Sequence, residues 1–261
     1  MTPLNPINPE QPIYFEGMTS VSALISAQRS GHARRKIIAV YFDITKKRDE
    51  FRRLNFLRRA SEELGFPLHL VPPDEIGARV SGHTHGGIVA EVSPAAYPTL
   101  DSGSEVPGKG FAALIEGAED PYSLGYSIRS LYASGADLIL LPRRLPEGSD
   151  AVVARASAGT SELIDIFVGD PAEAVAELLR RGYKAVCAGI RDSVPCSAGD
   201  LSRPVVLAVG GEKRGLSAPV TALCTQTVRI PYGREFMGSL STASSVAILA
   251  YEVLRQNSSE N

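Results

Sequence analysis

The sequence predicts an α/β protein in two parts, and three observations carry that expectation. From Phe111 onward, segments of β-branched and aromatic residues alternate with segments of helical period, the pattern of a mostly parallel sheet with helices on both faces. A shorter α/β pattern occupies residues 13–98. Between them, TLDSGSEVPGKG (residues 99–110) mixes glycine, serine, proline and charge without period, which is linker composition. The expected domains are therefore 13–98 and 111–261.

In the first region, IYFEGMTSVSALISAQRSG opens as a strand and becomes a helix with Val21, Leu24 and Ile25 on one face. KIIAVYFD is a β-branched and aromatic strand. KKRDEFRRLNFLRRASEELG is a helix: Phe51, Leu54, Leu57 and Leu64 fall on one stripe, and Gly65 sits where a C-terminal cap belongs. FPLHLVPP and GGIVAEVSP are short strands. In the second region FAALIEG is a buried strand, SLGYSIRSLYASG a helix ending at Gly135, and DLILLP a strand. DPAEAVAELLRRG is a helix with an acidic start and a basic end, matching its macrodipole. YKAVCAGI and PVVLAVGG are strands, and SSVAILAYEVLRQ is the last helix.

Composition narrows the function. No apolar run approaches the roughly 18 residues of a membrane span, and the proline-rich head MTPLNPINPEQP lacks the apolar core of a signal peptide. Three scattered cysteines exclude a disulfide framework or a Cys-based zinc site. A reduced, cytoplasmic protein is expected. The net charge of −2 hides an asymmetry: residues 29–59 hold eleven Lys or Arg against three acids. Such a zone suits a polyanion, because phosphate neutralisation releases counterions; a solvated helix face is the alternative. Arg48, Arg52, Arg53 and Arg59 fall largely off the apolar stripe and are the candidate RNA contacts. His83 and His85 lie two apart in a loop, far from His32 and His69 in sequence; an RNA or structural role for His85 is favoured over metal ligation.

Ligands in such folds sit beyond the carboxyl ends of strands, and three loops there could make a site. DPYSLGYSIRS (120–130) has a proline-set turn, Gly125 for close approach, and Arg129 one helical turn further. VGGEKRGLS (209–217) puts three glycines in six residues after a strand, but it is neither G-x-G-x-x-G nor a P-loop. RIPYGREFMGSLSTASSVAI (229–248) ends a strand at Ile230 and Pro231, then starts a helix with Ser239, Ser241, Thr242, Ser244 and Ser245. Capping accounts for one or two of those hydroxyls; lining a ligand pocket is the other reading. No G-x-S-x-G elbow supports a serine hydrolase.

Taken together, the three loops resemble the motifs of the SpoU/TrmH class of SPOUT RNA methyltransferases: N-x-G-x-x-x-R, G-x-E-x-x-G, and I-P ending in S-L-N-x-S. Gly125 and Arg129 match the first; Gly210, Glu212 and Gly215 the second; Ile230, Pro231, Ser239 and Leu240 the third. ASAGT at 156–160 resembles the class's S-A-G segment, and ILAYEVLRQ its last helix. Residues 13–93 look like the small, ribosomal-protein-like RNA-binding domain that many members carry. The resemblance implies a knotted SPOUT domain and S-adenosylmethionine held by backbone around Gly210, Ile230 and Leu240. It also implies homodimers acting on ribosomal or transfer RNA, with methyl transfer to a ribose 2′-hydroxyl and no metal.

A neutral 2′-hydroxyl is a weak nucleophile, so catalysis needs alignment and a cation near the oxygen. Arg129 suits that role because it stays protonated and can fork onto a phosphate. Ser123 and Ser241 stand where the class has asparagine, and Ala243 where it has serine. Ser123, Glu212 and Ser241 are the remaining catalytic candidates, Glu212 having an equal claim as a carboxylate that holds the glycine turn. The serine departures leave a second function open: a weak or inactive relative that binds RNA in ribosome assembly.

Overall fold

A computed structural model describes residues 12–80, 85–143 and 149–258. Most of the proline-rich head and His83 lie outside them. The chain divides into two compact units, one formed by Met1–Ala96 and Glu147–Leu163, the other by Tyr97–Pro146 and Ile164–Asn261.

In the first unit, β1 (Ile13–Glu16) leads into α1 (Gly17–Ser30), β2 (Ile37–Asp43), α2 (Phe51–Leu64), β3 (Leu68–Val71), α3 (Pro73–Arg79) and β4 (Ile88–Val92). The sheet order is β1-β4-β2-β3; β4 runs antiparallel to both neighbours, and β2 pairs with β3 in parallel. Phe15, Leu24, Ile25, Val40, Phe42, Leu54 and Leu57 make the core. Gly65 caps α2 in the left-handed conformation at φ 76°, the geometry expected of that glycine. One expectation for this region fails: Phe51 is 58% exposed rather than part of the buried stripe. The cause is a 3-10 turn at Ile44–Lys46, which delays α2 until Phe51. Helical side chains lean toward the N-terminus, so the first residue of the helix projects past the packed face.

The first unit also takes a segment that the sequence pattern assigned to the second region. After β5 (Phe111–Glu116), α4 (Pro121–Ala133) and β6 (Leu138–Pro142) come α5 (Asp150–Ala156) and a 3-10 turn at Thr160–Glu162. Ala154 joins the first core, and Gly159, at φ 81°, lies so near Ala23 that a Cβ would stand 2.6 Å from that methyl. A buried ion cluster fixes the segment. Arg35 donates to Glu162 at 3.1 Å and to Asp150 at 3.0 Å, with its guanidinium 4.9 Å from the Phe15 ring centroid. A buried charge is tolerated only when paired in this way.

The second unit continues with β7 (Asp165–Gly169), α6 (Pro171–Arg180), β8 (Lys184–Ala188), β9 (Val194–Pro195), β10 (Val205–Gly210), α7 (Ala218–Leu223), β11 (Gln226–Arg229) and α8 (Thr242–Asn257). Its seven strands are all parallel, ordered β7-β6-β5-β10-β8-β11-β9, as the strand–helix alternation predicted. Ala112, Leu114, Val206 and Ala208 share a core with Val175, Leu178 and Val220 of α6 and α7. Elsewhere in this unit α8 packs on β10 and on α4. Residues 99–110 form no strand or helix, yet Leu100 is buried in this core and Arg181 donates to the carbonyls of Ser104 (2.7 Å) and Asp101. The far end of α8 is tied down by side-chain amides. Gln256 accepts from Leu201 N at 2.9 Å and donates to Gly199 O at 3.0 Å; Asn257 accepts from Arg203 N and donates to Leu201 O, both at 2.9 Å.

Arg35→Met removes the cation that pairs with Glu162, a carboxylate only 4% exposed. The expected loss is about 3–5 kcal/mol of unfolding free energy, measurable by urea denaturation, with Arg53→Met as a surface control that changes little.

Candidate active site

The site begins where two central strands end. β5 and β10 are parallel neighbours, with Gly210 opposite Glu116, so the loops that follow them emerge side by side. They meet backbone to backbone: a Cβ on Gly211 would overlap the carbonyl oxygen of Gly117, itself at φ 84°. The second loop then folds onto itself. Gly215 N donates to Gly211 O at 2.9 Å, Gly215 sits at φ 65°, and a Cβ on Gly210 would overlap the Gly215 peptide. Glu116 closes the turn by accepting from Ser217 N at 2.8 Å. The glycines expected to let a ligand approach thus also let the chain approach itself.

Beyond this turn lies a cleft of about 600 Å³, within the range of small-molecule sites. Val209, Val228 and Leu249 give it an apolar lining, and Tyr232, Phe236 and Met237 line it from the exposed 231–239 loop. Gly210, Ile230 and Leu240, the three positions expected to hold a cofactor, all line it. Tyr232 steadies the loop: its hydroxyl accepts from Leu240 N at 3.2 Å, and its ring centroid is 5.8 Å from that of Phe236. A smaller pocket of about 190 Å³ is lined by Asp120, Ser123, Lys213 and Arg214. Gly211, Glu212 and Thr242 line both, so the two share a wall.

The catalytic candidates are only partly brought together. Ser123 and Glu212 face the smaller pocket. The Ser123 Oγ is buried and has no hydrogen-bond partner among the described residues. Glu212 Oε1 accepts from Thr242 N at 3.1 Å, so the carboxylate holds the start of α8 rather than its own glycine turn. Ser241 is the N-cap of α8, its Oγ accepting from Ser244 N at 3.2 Å, and it lines neither cleft. Arg129 is exposed on α4 and also lines neither. It follows Tyr122 and Tyr126 at helical spacing, and both rings are exposed. Arg48, Arg52, Arg53, Arg59 and His85 belong to the first unit. The four arginines are exposed, Arg53 pairing with Glu50 at 2.8 Å, and His85 Nδ1 accepts from Gly87 N at 3.0 Å. Sequence reasoning missed Glu116 and the loop residues Tyr232, Phe236 and Met237. Their signal was present: three large apolar side chains in a glycine-bounded loop have no periodic place in a core.

An open parallel sheet with a cofactor-sized cleft at its strand ends, walled by a glycine turn and the start of the last helix, defines an α/β protein built around a small-molecule site. More narrowly, residues 110–251 match the family described as SpoU rRNA Methylase, and the chain belongs to that family. It is 28% identical over 256 residues to the 23S rRNA (guanosine-2′-O-)-methyltransferase RlmB of Shewanella oneidensis, covering 96% of this chain and 99% of that one. It is also 28% identical to the putative TrmH family tRNA/rRNA methyltransferase YacO of Bacillus subtilis, over 75% of this chain and 80% of the relative. The fold is shared with the AdoMet-bound rRNA methyltransferase from Sinorhizobium meliloti (TM-score 0.76, 22% identity, 94% of this chain and 87% of that one). It is shared as well with the SpoU methyltransferase AviRb from Streptomyces viridochromogenes (TM-score 0.75, 20% identity, 94% and 89%).

Gly211→Ala is expected to cost about 1–3 kcal/mol through overpacking against Gly117, read by urea denaturation. Gly108→Ala, where an added Cβ meets nothing within 4 Å, is the control and should leave stability unchanged within error.

Proposed function

We propose that the protein is an S-adenosylmethionine-dependent methyltransferase acting, as a homodimer, on a ribose 2′-hydroxyl of structured ribosomal or transfer RNA. The observation that carries the reading is the pair of clefts joined at Gly211, Glu212 and Thr242. The larger suits the cofactor: its volume is adequate, its floor is apolar, and all three motif positions line it. When bound, the cofactor supplies a methyl group already activated on a sulfonium. The chain's own residues supply position and charge. Gly210, Ile230 and Leu240 hold the donor from the larger cleft. Ser123, which lines the smaller pocket and whose buried Oγ has no partner among the described residues, holds the sugar by hydrogen bonding. Glu212 keeps α8 in register with both.

Arg129 enters this reading through the dimer. α4 and α8 pack together and leave Tyr122, Tyr126, Ile248 and Tyr251 exposed, an apolar surface of the kind that marks an interface. Arg129 follows those tyrosines along α4, so the reading assigns its guanidinium to the site of the second copy. There it stabilises the developing alkoxide and binds the neighbouring phosphate. The trefoil knot belongs to the same reading; its support is the bonding of Gln256 and Asn257 to residues 199–203. One observation favours a second reading, an RNA-binding relative with weak catalysis: Ser241 is engaged in capping α8.

Calorimetry and methylation assays separate the two. Arg129→Ala should bind S-adenosylmethionine as wild type does and lose at least about 100-fold in methyl transfer. Tight RNA binding with no detectable cofactor binding in the wild type would establish the second reading instead. Tyr126→Glu should shift the protein from dimer to monomer in sedimentation velocity. Mixing Arg129→Ala with a variant disabled in the cofactor cleft, Leu240→Arg, should restore activity only if Arg129 serves the partner's site.

A further inference from the structure

The strongest feature that this reading leaves unused is Phe51. Its ring is 58% exposed and makes no ring contact among the described residues, while Leu54, Leu57 and Ala60 supply the buried face of α2. The helix therefore does not depend on this side chain for its packing. Ile44, 47% exposed, opens the 3-10 turn seven residues earlier. Five cations, with Asp49 and Glu50 among them, flank the ring in the sequence from Lys46 to Arg53. Arg48 in the turn and Arg52 on the helix are exposed and form no ion pair among the described residues, unlike Arg53 with Glu50. Lys46 belongs to the 3-10 turn, and the His85–Gly87 turn packs against it. Asp43 N donates to Gly87 O at 2.8 Å, and a Cβ on Gly87 would stand 2.9 Å from Lys46 Cδ. The turn into α2 and the first residues of the helix thus carry an exposed ring and two exposed guanidinia within five positions, with Lys46 beside the His85–Gly87 turn.

Protein interfaces deplete charge at their centre, whereas this ring is flanked in sequence by exposed Arg48 and Arg52. Such a combination fits a single-stranded nucleotide, whose base has an apolar face and whose phosphates are anionic. We propose that Phe51 is a stacking platform for an unpaired base of the RNA substrate, with Arg48 and Arg52 binding the flanking phosphates. The proposal rests on the RNA reading above and deepens it: the first unit selects a looped or bulged nucleotide rather than a continuous duplex.

The test uses the full chain and two synthetic RNAs, a hairpin carrying 2-aminopurine in its loop and a fully paired duplex of equal length. Wild type should bind the hairpin more tightly and quench the loop fluorescence. Phe51→Ala should weaken hairpin binding about tenfold and abolish the quench, with duplex affinity and melting temperature unchanged. Phe51→Trp should restore both signals, and Phe51→Leu, which keeps apolar bulk without a π face, should behave like alanine. Arg52→Ala should weaken both RNAs. If Phe51→Ala or Phe51→Leu binds the hairpin as wild type does while Arg52→Ala weakens it, stacking is overturned and RNA binding survives. If wild type binds neither RNA, both fall together.

Discussion

Everything in the second unit's site depends on how closely two pieces of backbone can lie. The loops after β5 and β10 touch at Gly117 and Gly211, with no room for a side chain on Gly211. That contact brings Ser123 and Glu212 to one small pocket although nearly ninety positions separate them in sequence. It also leaves Glu212 beside the start of α8, where it accepts the Thr242 N–H that the helix itself cannot satisfy. A carboxylate at a helix N-terminus is favoured by the macrodipole as well. One steric fact thus orders three segments of the chain around a shared wall.

The first unit is held by a different kind of constraint. Arg35, buried against Phe15, must keep Glu162 and Asp150 close, because an unpaired charge there would be far costlier than the pair. Its partners come from the stretch between β6 and β7. Packing by Ala154 and Gly159 reinforces the charge pairing. The first unit is therefore completed by residues that the chain reaches only after it has already laid down two strands of the second sheet.

Much of this was legible from residues alone. The strands KIIAVYFD, FAALIEG and PVVLAVGG announce themselves through β-branched content, and Gly65 and Gly135 through the positions at which helices must stop. The parallel sheet followed from alternation, and Gly210, Ile230 and Leu240 were placed on the cleft by motif. What escaped detection was short or nonlocal. α3, α5 and α7 have six or seven residues each, too few turns for a period to emerge. The place of residues 149–163 hinges on ion pairs across more than a hundred positions, which no local pattern encodes. Phe51 satisfied the helical stripe numerically, but a 3-10 turn changed where the helix began. Ser241, a catalytic candidate, also caps α8; Glu212, for which chemistry and bracing its own turn had equal claims, accepts from the first N–H of the next helix.

The last helix is strapped at both ends to chain that flanks a single strand. Its start is bonded to Glu212, two residues past β10, and its end to Leu201 and Arg203, just ahead of β10. Sixteen helical residues span about 24 Å at 1.5 Å each, comparable to the strand between those anchors. Helix and strand are bonded together at both ends, and Leu249 and Val209 line the cleft between them. Helix and strand thus make one wall of the cleft, and the exposed 231–239 loop, bonded through Leu240 N to the Tyr232 hydroxyl, makes another.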